Sequence, residues 1–352
     1  MIIEQFLPNL HDGDAVGNST LALHRFLLSR GVESRIIAMD CDPAVRDQAT
    51  LFSDYHLDPG ALKILHFAIP SPLSDFFLGL QGKKVMIYHN ITPSYFFAGY
   101  SDDLVRITAA GREQLKKLDQ CFDLAVGDST YNAKELRELG FANVHVFPLL
   151  VNLQDYDHPI NGAYADLLKN ERKNIVFAGR VSPNKKIEDL IKTVFFYKKY
   201  ISPAVRLIIA GNTGSLPKYT IALQNLASRF HLTSEDVFFT GHLPLDEFLA
   251  VYRSADVFLS MSEHEGFCLP LLESCYFKVP VVAFDAAAVA ETLDGAGLLF
   301  RDKAPALAAG LVEQVLEKEP LRRQLQVKAV ERIGRYRLQA DPDILLSMLK
   351  QL

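Results

Sequence analysis

Short apolar runs alternate with amphipathic segments along most of this 352-residue chain, and that alternation limits its fold more than any other feature. Short continuous apolar runs are typical of strands buried on both faces. The amphipathic segments between them are typical of helices that cover such a sheet. The pattern therefore predicts an α/β fold with parallel sheets.

The strands fall into two successive series. The first series is predicted at Ile2–Leu7, Glu33–Met39, Leu62–Phe67, Lys84–Tyr88, Leu124–Val126 and Val144–Phe147. The second series is predicted at Asn174–Ala178, Leu207–Ala210, Val237–Thr240, Val257–Ser260 and Val281–Phe284. Helices are predicted at Ser19–Ser29, at Ala133–Leu139, from Pro305 onward and, after a break at Asp341-Pro342, at Ile344–Leu352.

A polar segment from Asn152 to Asn174 separates the two series and is the predicted linker. A chain of this length fits two domains of roughly 150 to 190 residues each. We therefore expect two doubly wound, Rossmann-like domains facing across a cleft, over residues 1–155 and 156–338. Residues 339–352 are expected to form a helix that packs back on the first domain. Ligands of such sheets bind at the carboxyl ends of the strands.

The bulk composition excludes several classes of protein. Apolar residues make up 49% and charged residues 22%, and the net charge of -5 gives no electrostatic case for a nucleic-acid partner. The four cysteines are scattered, with no C-x-x-C pair, so we expect reduced thiols without a zinc site or other metal site. The N-terminus lacks a signal peptide's basic region and apolar core, and no apolar stretch is long enough to span a bilayer. A cytoplasmic protein is expected.

The strongest functional motif is the stretch of residues 262–273, which directly follows the strand Val257–Ser260. Its glycine-containing loop leads into a helix whose first turn suits Pro270. A helix N-terminus of this kind binds anions through backbone N–H groups and the helix dipole. Glu265 at the mouth of the loop and Glu273 about one turn into the helix would bracket a ligand. On its own, the pair also fits a loop charge and an ordinary first-turn acid.

A second motif, residues 177–186, also follows a buried strand. Gly179 permits a close turn, and Arg180 and Lys185 supply two cations suited to phosphate oxygens. Such cations stabilise the charge that grows on a leaving diphosphate when no metal is present. The competing interpretation is a basic surface loop.

Two weaker signals lie in the first half of the chain. The loop of residues 11–19 contains Gly13 and Asp14, and it fits either a ligand loop or a turn with Asn18 or Ser19 as the helix cap. It lacks the full G-x-G-x-x-G spacing of a dinucleotide site. His89 follows the strand Lys84–Tyr88, where it would either hydrogen-bond a sugar hydroxyl or play a structural part. Asp128 after the next strand is a still weaker candidate.

With these motifs in place, the chain resembles the group 1 family of retaining glycosyltransferases, which have the two-Rossmann GT-B architecture. The resemblance covers nearly the whole length. It is most specific for the family's Glu-x7-Glu motif, at Glu265 and Glu273, and for its Gly-Arg-x4-Lys motif, at Gly179, Arg180 and Lys185.

The resemblance assigns roles to individual residues. Arg180 and Lys185 would bind the donor diphosphate, Glu273 the ribose, and Glu265 the transferred sugar, which His89 would face. The other residues it implies for nucleotide-sugar binding are Gly13, Asp14, Gly179, Gly211, Leu243, Gly266, Phe267, Cys268 and Leu269. Cys268 stands where the family usually has glycine, Lys186 where glycine often follows the lysine, and Leu149-Leu150-Val151-Asn152 replaces the usual Asn-Gly-Val-Asp. These departures concern donor choice and loop closure.

The implied activity is metal-independent, retaining transfer of a hexose from a UDP- or GDP-sugar, without a cofactor. The expected acceptor is a saccharide or lipid-linked saccharide in polysaccharide or lipopolysaccharide synthesis. Residues 1–155 would be the acceptor-side domain and 156–338 the donor-binding domain. A thin scatter of basic residues (Arg106, Arg112, Lys116 and Lys117) would allow peripheral contact with the inner face of the membrane, but such a scatter is more often an ordinary solvated helix face.

Three other functions fit parts of the sequence. A glycoside hydrolase would use the two glutamates as acid and base, but it leaves the Arg/Lys pair unexplained. A nicotinamide-dependent oxidoreductase would need the missing glycine fingerprint. A non-catalytic GT-B scaffold of a polysaccharide-assembly complex is the third, and the intact charged motifs argue against it.

Overall fold

The computed structural model describes residues 1–11 and 13–352, which divide into two compact units. The first unit comprises Met1–Tyr95, Asp103–Asn152 and Tyr336–Leu352, and the second comprises Phe96–Asp102 and Leu153–Arg335. Asp12, which belongs to the predicted loop 11–19, lies outside the described residues. The roles expected for the two domains, and their limits at residues 155 and 338, stay predictions.

A seven-stranded parallel sheet forms the first unit, in the order β3-β2-β1-β4-β5-β6-β7. Its strands are β1 (Ile2–Leu10), β2 (Glu33–Cys41), β3 (Thr50–Leu51), β4 (Leu62–Phe67), β5 (Lys84–Tyr88), β6 (Leu124–Gly127) and β7 (Val144–Val146). The direction of strand order reverses between β1 and β4, as in doubly wound nucleotide-binding folds.

This sheet is accompanied by α1 (Ala15–Ser29), α2 (Pro72–Gly79), α3 (Asp102–Lys117) and α4 (Thr130–Glu138). Every residue of β4 is buried, including Lys63 and His66, whose side chains are hydrogen-bonded within the protein. Aromatic rings fill the core beside it. Phe6 of β1 makes an edge-on contact with Phe77 of α2 at a centroid distance of 5.3 Å.

The C-terminus of the chain also belongs to the first unit. Tyr336 donates its hydroxyl hydrogen to the carbonyl of Leu149 at 2.6 Å and accepts from the backbone N–H of Val151 at 3.0 Å. The guanidinium of Arg30, at the end of α1, donates from Nε to Asp343 at 3.1 Å. These bonds join segments about 180 or more residues apart in sequence.

A six-stranded parallel sheet forms the second unit, in the order β10-β9-β8-β11-β12-β13. Its strands are β8 (Lys173–Ala178), β9 (Val205–Ala210), β10 (Val237–Gly241), β11 (Val257–Ser260), β12 (Val281–Phe284) and β13 (Gly297–Phe300). The order again reverses direction, here between β8 and β11. The fold class of two doubly wound parallel α/β units is therefore confirmed.

The remaining helices follow in chain order: α5 (Gly162–Leu168), α6 (Ile187–Tyr200), α7 (Pro217–Arg229), α8 (Leu245–Ser254), α9 (Leu269–Tyr276), α10 (Val289–Leu293), α11 (Pro305–Glu317), α12 (Glu319–Gln339) and α13 (Pro342–Lys350). The last of these, α13, lies in the first unit and contacts α1. Pro305 and Pro342 occupy the first turns of their helices, where a missing N–H costs no helical bond.

Three local predictions differ from the structure. β3 and β13 were not predicted, and β3 has only two residues, too few to show a pattern. The segment 152–174 is not a bare linker, since it contains α5 and a 3-10 turn at Leu153–Asp157. α1 begins at Ala15 and not at Ser19. Within residues 1–11 and 13–352, no helix is both long enough and apolar enough to cross a bilayer.

Candidate functional site

Two glycines bring the carboxyl ends of β8 and β9 together in the second unit. Gly179 has a φ of +133°, a conformation that L side chains rarely adopt, and its N–H donates to the Ala210 carbonyl at 2.8 Å. A Cβ added to Gly211 would lie 1.9 Å from the Gly179 carbonyl oxygen. Both glycines are therefore needed for the chain to turn here.

Asn184 holds the loop after β8 against the loop after β11. Its side-chain amide donates to the His264 carbonyl at 3.0 Å, and its own carbonyl accepts from the Glu263 N–H at 2.8 Å. Ser182 donates to the Asn184 side-chain oxygen at 2.7 Å. Asn184 was not among the predicted site residues, because an asparagine in a polar loop carries no sequence signal of its own.

Lys185 and Glu265 form an ion pair across these two loops, with Nζ and Oε2 2.6 Å apart. Glu265 is only 5% exposed, so its side chain is buried where the loop leads into the helix. Its other oxygen, Oε1, is buried and has no hydrogen-bond partner among the described residues. Leaving a buried carboxylate oxygen unpaired is costly, so this atom is suited to accept a ligand's hydroxyl hydrogen.

Two cations of the loop after β8 retain donor capacity. Arg180 is exposed, and no ion pair or hydrogen bond involves its guanidinium within the part of the chain that the structure describes. Lys185 uses one of its three ammonium hydrogens on Glu265. The loop therefore offers open donors for an anion.

The helix α9 begins next to this pair, as predicted. Cys268, just before the helix, adopts a left-handed conformation with φ of +69°, and Pro270 lies in the first turn. This φ gives a physical reason for glycine at the corresponding family position. Burial and the nearby charge of Glu265 raise the pKa of the Cys268 thiol well above its usual range, so it stays protonated. The preceding loop, with Gly266 and Phe267, is fixed by a bond from the Thr292 hydroxyl to the Phe267 carbonyl.

Glu273 lies inside α9, with two tyrosines at its carboxylate. Tyr156 donates to Oε1 at 2.8 Å, and Tyr252 donates to Oε2 at 2.6 Å. Burial raises the pKa of Glu273, and the two tyrosine bonds oppose that effect. Neither tyrosine was a predicted site residue, since Tyr156 lies in the predicted linker and Tyr252 in a separate helix. Each carboxylate oxygen keeps a second lone pair for a ligand.

The residues predicted near the nucleotide base lie at the same edge of the second sheet. The Gly211 N–H donates to the Gly241 carbonyl at 3.1 Å. Leu243 lies two residues after the end of β10 and is half-buried. The roles predicted for Gly211 and Leu243 stay predictions.

In the first unit, the loop before α1 is fixed by Asp14. Its Oδ2 accepts from the N–H groups of Val16 and Gly17, both at 3.2 Å, and Gly13 before it has a φ of +78°. Asp14 is therefore the helix cap, which corrects the alternative that placed the cap at Asn18 or Ser19. Both of those residues lie inside α1.

His89 lies at the carboxyl end of β5 with both ring nitrogens bonded. Nδ1 lies 2.7 Å from Asp128 Oδ2, and Nε2 lies 3.0 Å from His66 Nδ1. Its side chain is only 2% exposed. The expected contact between His89 and a sugar hydroxyl stays a prediction, and through a ring nitrogen it would have to replace one of these bonds. His66 carried no sequence signal, because it lies inside an apolar strand.

A cavity of about 370 Å³ opens at the opposite, amino end of β8. Its lining includes Arg172, Asn174 and Arg253 and none of the predicted site residues. Among the described residues, no group of three or more His, Cys, Asp or Glu side chains is placed to hold a metal ion.

Comparison with known proteins shows which family the second unit is similar to. Residues 165–332, which lie within that unit, match the model for "Glycosyl transferases group 1". This segment is slightly less than half of the 352-residue chain. The match contains both charged motifs, the one that includes Arg180 and the one that includes Glu265.

Individual proteins extend the likeness to both units. A GDP-mannose-dependent alpha-mannosyltransferase of Mycobacterium tuberculosis is 25% identical over 320 residues, 81% of this chain and 78% of that protein. The structure of Anabaena Alr3699/HepE in complex with UDP-glucose has a TM-score of 0.75 at 13% identity and covers 100% of both chains. WaaG, a glycosyltransferase involved in lipopolysaccharide biosynthesis, has a TM-score of 0.74 at 13% identity and covers 98% of this chain and 99% of WaaG. These structures establish the GT-B fold.

Proposed function

We propose that this chain is a retaining hexosyltransferase that moves a sugar from a nucleoside diphosphate donor to a saccharide or lipid-linked saccharide. One observation carries the proposal: the unpartnered, buried oxygen of Glu265, whose second oxygen is paired with Lys185. A buried acceptor beside open cationic donors fits a ligand that carries both hydroxyl groups and phosphates.

Each charged residue has a proposed task. Arg180 and Lys185 bind the donor diphosphate, together with the backbone N–H groups at the start of α9. Glu265 accepts a hydrogen bond from the transferred sugar, while Glu273 accepts from the ribose hydroxyls. The loop of Gly13 and Asp14 is proposed to approach the phosphates.

The reaction exchanges one bond at the sugar's anomeric carbon. The bond from that carbon to the diphosphate oxygen breaks, and a bond to the acceptor hydroxyl oxygen forms on the same face. The acceptor proton passes to the departing diphosphate. Arg180, Lys185 and the α9 N-terminus stabilise the charge that grows on this leaving group, so no divalent metal is needed.

The relatives guide the choice of donor. The mycobacterial relative is named for GDP-mannose, and the Anabaena structure contains UDP-glucose. Sequence likeness over 81% of the chain makes GDP-mannose the first donor to test. Synthesis of a cell-surface polysaccharide or lipopolysaccharide, in the cytoplasm or at the inner face of the membrane, is the proposed setting.

Thermal shift against GDP-mannose, UDP-glucose and ADP-glucose tests the donor, and release of the nucleoside diphosphate in the presence of saccharide acceptors tests transfer. We expect one nucleotide class to raise the melting temperature and to support turnover. Arg180→Ala should abolish the shift. Arg253→Ala, which removes an exposed arginine at the other end of β8, should not. Saturable binding without turnover on any acceptor would favour the scaffold alternative.

A further inference from the structure

Four polar side chains form a row across four adjacent strands of the first sheet. Gln5 lies on β1 and His66 on β4, while His89 and Asp128 directly follow β5 and β6. These strands are consecutive in the sheet order. The register pairs Gln5 with Ile64 and His66 with Ile87, so His66 and His89 each lie two residues further along than the position paired with their predecessor. Tyr88 pairs with Gly127, so Asp128 is level with His89. With the two-residue period of a strand, all of them fall on one face.

Hydrogen bonds connect the whole row. Asp128 Oδ2 lies 2.7 Å from His89 Nδ1, His89 Nε2 lies 3.0 Å from His66 Nδ1, and His66 Nε2 lies 3.0 Å from the Gln5 side-chain oxygen. The two imidazole planes are within 7° of each other. Gln5 and His66 are at most 1% exposed.

The Gln5 amide sets the direction of these bonds. Its nitrogen lies 3.4 Å from the Thr20 carbonyl oxygen, which can only accept, so its oxygen must face His66. His66 therefore donates through Nε2. Burial, and secondly the charge of the facing His89, lower the pKa of His66 well below its usual range, so this imidazole stays neutral and its Nδ1 accepts.

The consequence for His89 follows from this direction. Because His66 Nδ1 accepts, His89 Nε2 must carry a hydrogen and donate it. On the other side, Nδ1 faces a carboxylate and donates as well. We propose that Gln5 and His66 are positioning residues that hold His89 as a doubly protonated cation paired with Asp128.

The protonation state of His89 is inferred without the proposed function, and only its role in catalysis rests on that function. A histidine that has donated both ring hydrogens to protein partners has no lone pair for an acceptor hydroxyl proton, so it does not act as a general base. It instead places a fixed positive charge at the carboxyl edge of the first sheet. The acceptor proton then leaves with the diphosphate, as proposed above.

The protonation state can be read directly by NMR of protein labelled with ¹⁵N in its histidine rings. The His89 signals are assigned by their loss in His89→Asn. We expect both His89 nitrogens to resonate as protonated nitrogens at neutral pH. In Gln5→Met, which keeps the side-chain length but removes the acceptor, His66 can reverse its tautomer and one His89 nitrogen should become unprotonated.

A matched set of variants links this state to activity. Gln5→Met should lower kcat about tenfold with little change in donor KM, because the fixed charge is lost while the second unit is untouched. Gln5→Glu keeps an acceptor for His66 and should restore most of the turnover. Ser34→Ala is the control, since it removes the hydroxyl 3.0 Å from a different histidine of the same unit, His24.

An unprotonated nitrogen on His89 in the unaltered protein would overturn the proposal. So would Gln5→Met signals identical to those of the parent protein. If Gln5→Met fails to fold, the spectrum of the unaltered protein still shows whether both His89 nitrogens are protonated. Protonated nitrogens on His89 in a protein without transferase activity would sustain this inference and reject the proposed function, so the two failures are distinguishable.

Discussion

The carboxyl edges of the two sheets satisfy their polar groups in opposite ways. In the first unit, His89 has a partner at each ring nitrogen and is almost fully buried. In the second unit, Glu265 keeps one buried oxygen without a partner, and Arg180 is exposed without an ion pair among the described residues. A closed network fixes geometry and charge, whereas open donors and acceptors carry a cost that a ligand can remove. The difference supports the proposal that the donor binds at the second unit, while the first unit holds its polar groups in a fixed geometry.

The largest expected effect comes from the carboxyl edge of the second sheet, which we call the open edge because, within residues 1–11 and 13–352, Glu265 and Arg180 keep polar atoms without partners there. Arg180→Ala and Lys185→Ala should each lower turnover by about two or more orders of magnitude, because preorganised charge on the leaving diphosphate is lost. Steady-state kinetics with folded protein measure this. Arg253→Ala is the matched control and should keep its turnover. Near-normal rates for both loop variants would remove the diphosphate site from the loop after β8.

The second effect separates the two glutamates of the open edge. Glu273→Gln should weaken binding of the free nucleoside diphosphate about tenfold, because a carboxylate that accepts from ribose hydroxyls contributes before and during reaction alike. Glu265→Gln should leave that affinity nearly unchanged and lower turnover. Calorimetric titration of both variants decides between these roles.

Tyr252→Phe is the companion to this test. It removes the 2.6 Å bond to Glu273 while the carboxylate remains. We expect it to weaken nucleotide binding less than Glu273→Gln does. Equal losses of nucleotide affinity in Glu273→Gln and Glu265→Gln would contradict the proposal that one glutamate binds the ribose and the other the sugar. No loss of affinity in either variant would mean that Glu273 is a buried structural acid.

A smaller effect arises from the carboxyl edge of the first sheet, where His66 and His89 are hydrogen-bonded at both ring nitrogens. It concerns how the free energy of unfolding depends on pH. The pKa of His66 is lowered in the folded state by burial, so the unfolded chain takes up a proton below about pH 6.5 that the folded chain does not. Stability from this group is therefore complete above that pH and falls as the pH decreases, by at most about 1.4 kcal/mol per pH unit. Urea unfolding at several pH values measures this dependence.

His66→Gln should reduce that pH dependence more than His24→Gln does. His24 is only half-buried, and its pKa is lowered by burial and by Arg25. If both variants keep the slope of the parent protein, the row across the first sheet does not hold a neutral His66.

The smallest effect concerns Cys268, where a side chain occupies a left-handed conformation. Cys268→Gly should change the free energy of unfolding by no more than about 1 kcal/mol, since relief of strain offsets lost burial. Cys268→Val should destabilise by about 2 kcal/mol, because a β-branched residue resists a φ of +69°. Denaturant titration of the pair measures the difference, and equal stabilities would show that the left-handed conformation has no cost here.

The sequence predicted where the loops with the charged motifs lie, because these loops follow strands whose apolar runs are unambiguous. Val257–Ser260 and Val281–Phe284 have the predicted limits, and the loops after β8 and β11 contain the expected glycines and cations. It did not predict the cap of α1, because Asp14 is recognisable as a cap only from the two N–H groups that its carboxylate accepts. It also missed Tyr156, because a polar segment resembles a linker whether or not one ring in it is buried.

The amino-acid order alone thus determined two doubly wound parallel sheets and the loops that carry charge, since both depend on local pattern. The tertiary structure decided which polar side chains are bonded to each other. Gln5 and His66 are 61 residues apart, Lys185 and Glu265 are 80 apart, and Tyr156 and Glu273 are 117 apart. A hydrogen bond depends on a few tenths of an ångström between such distant residues. Only the packed sheet fixes that distance. It therefore decides which polar groups are fully hydrogen-bonded and which keep a free donor or acceptor.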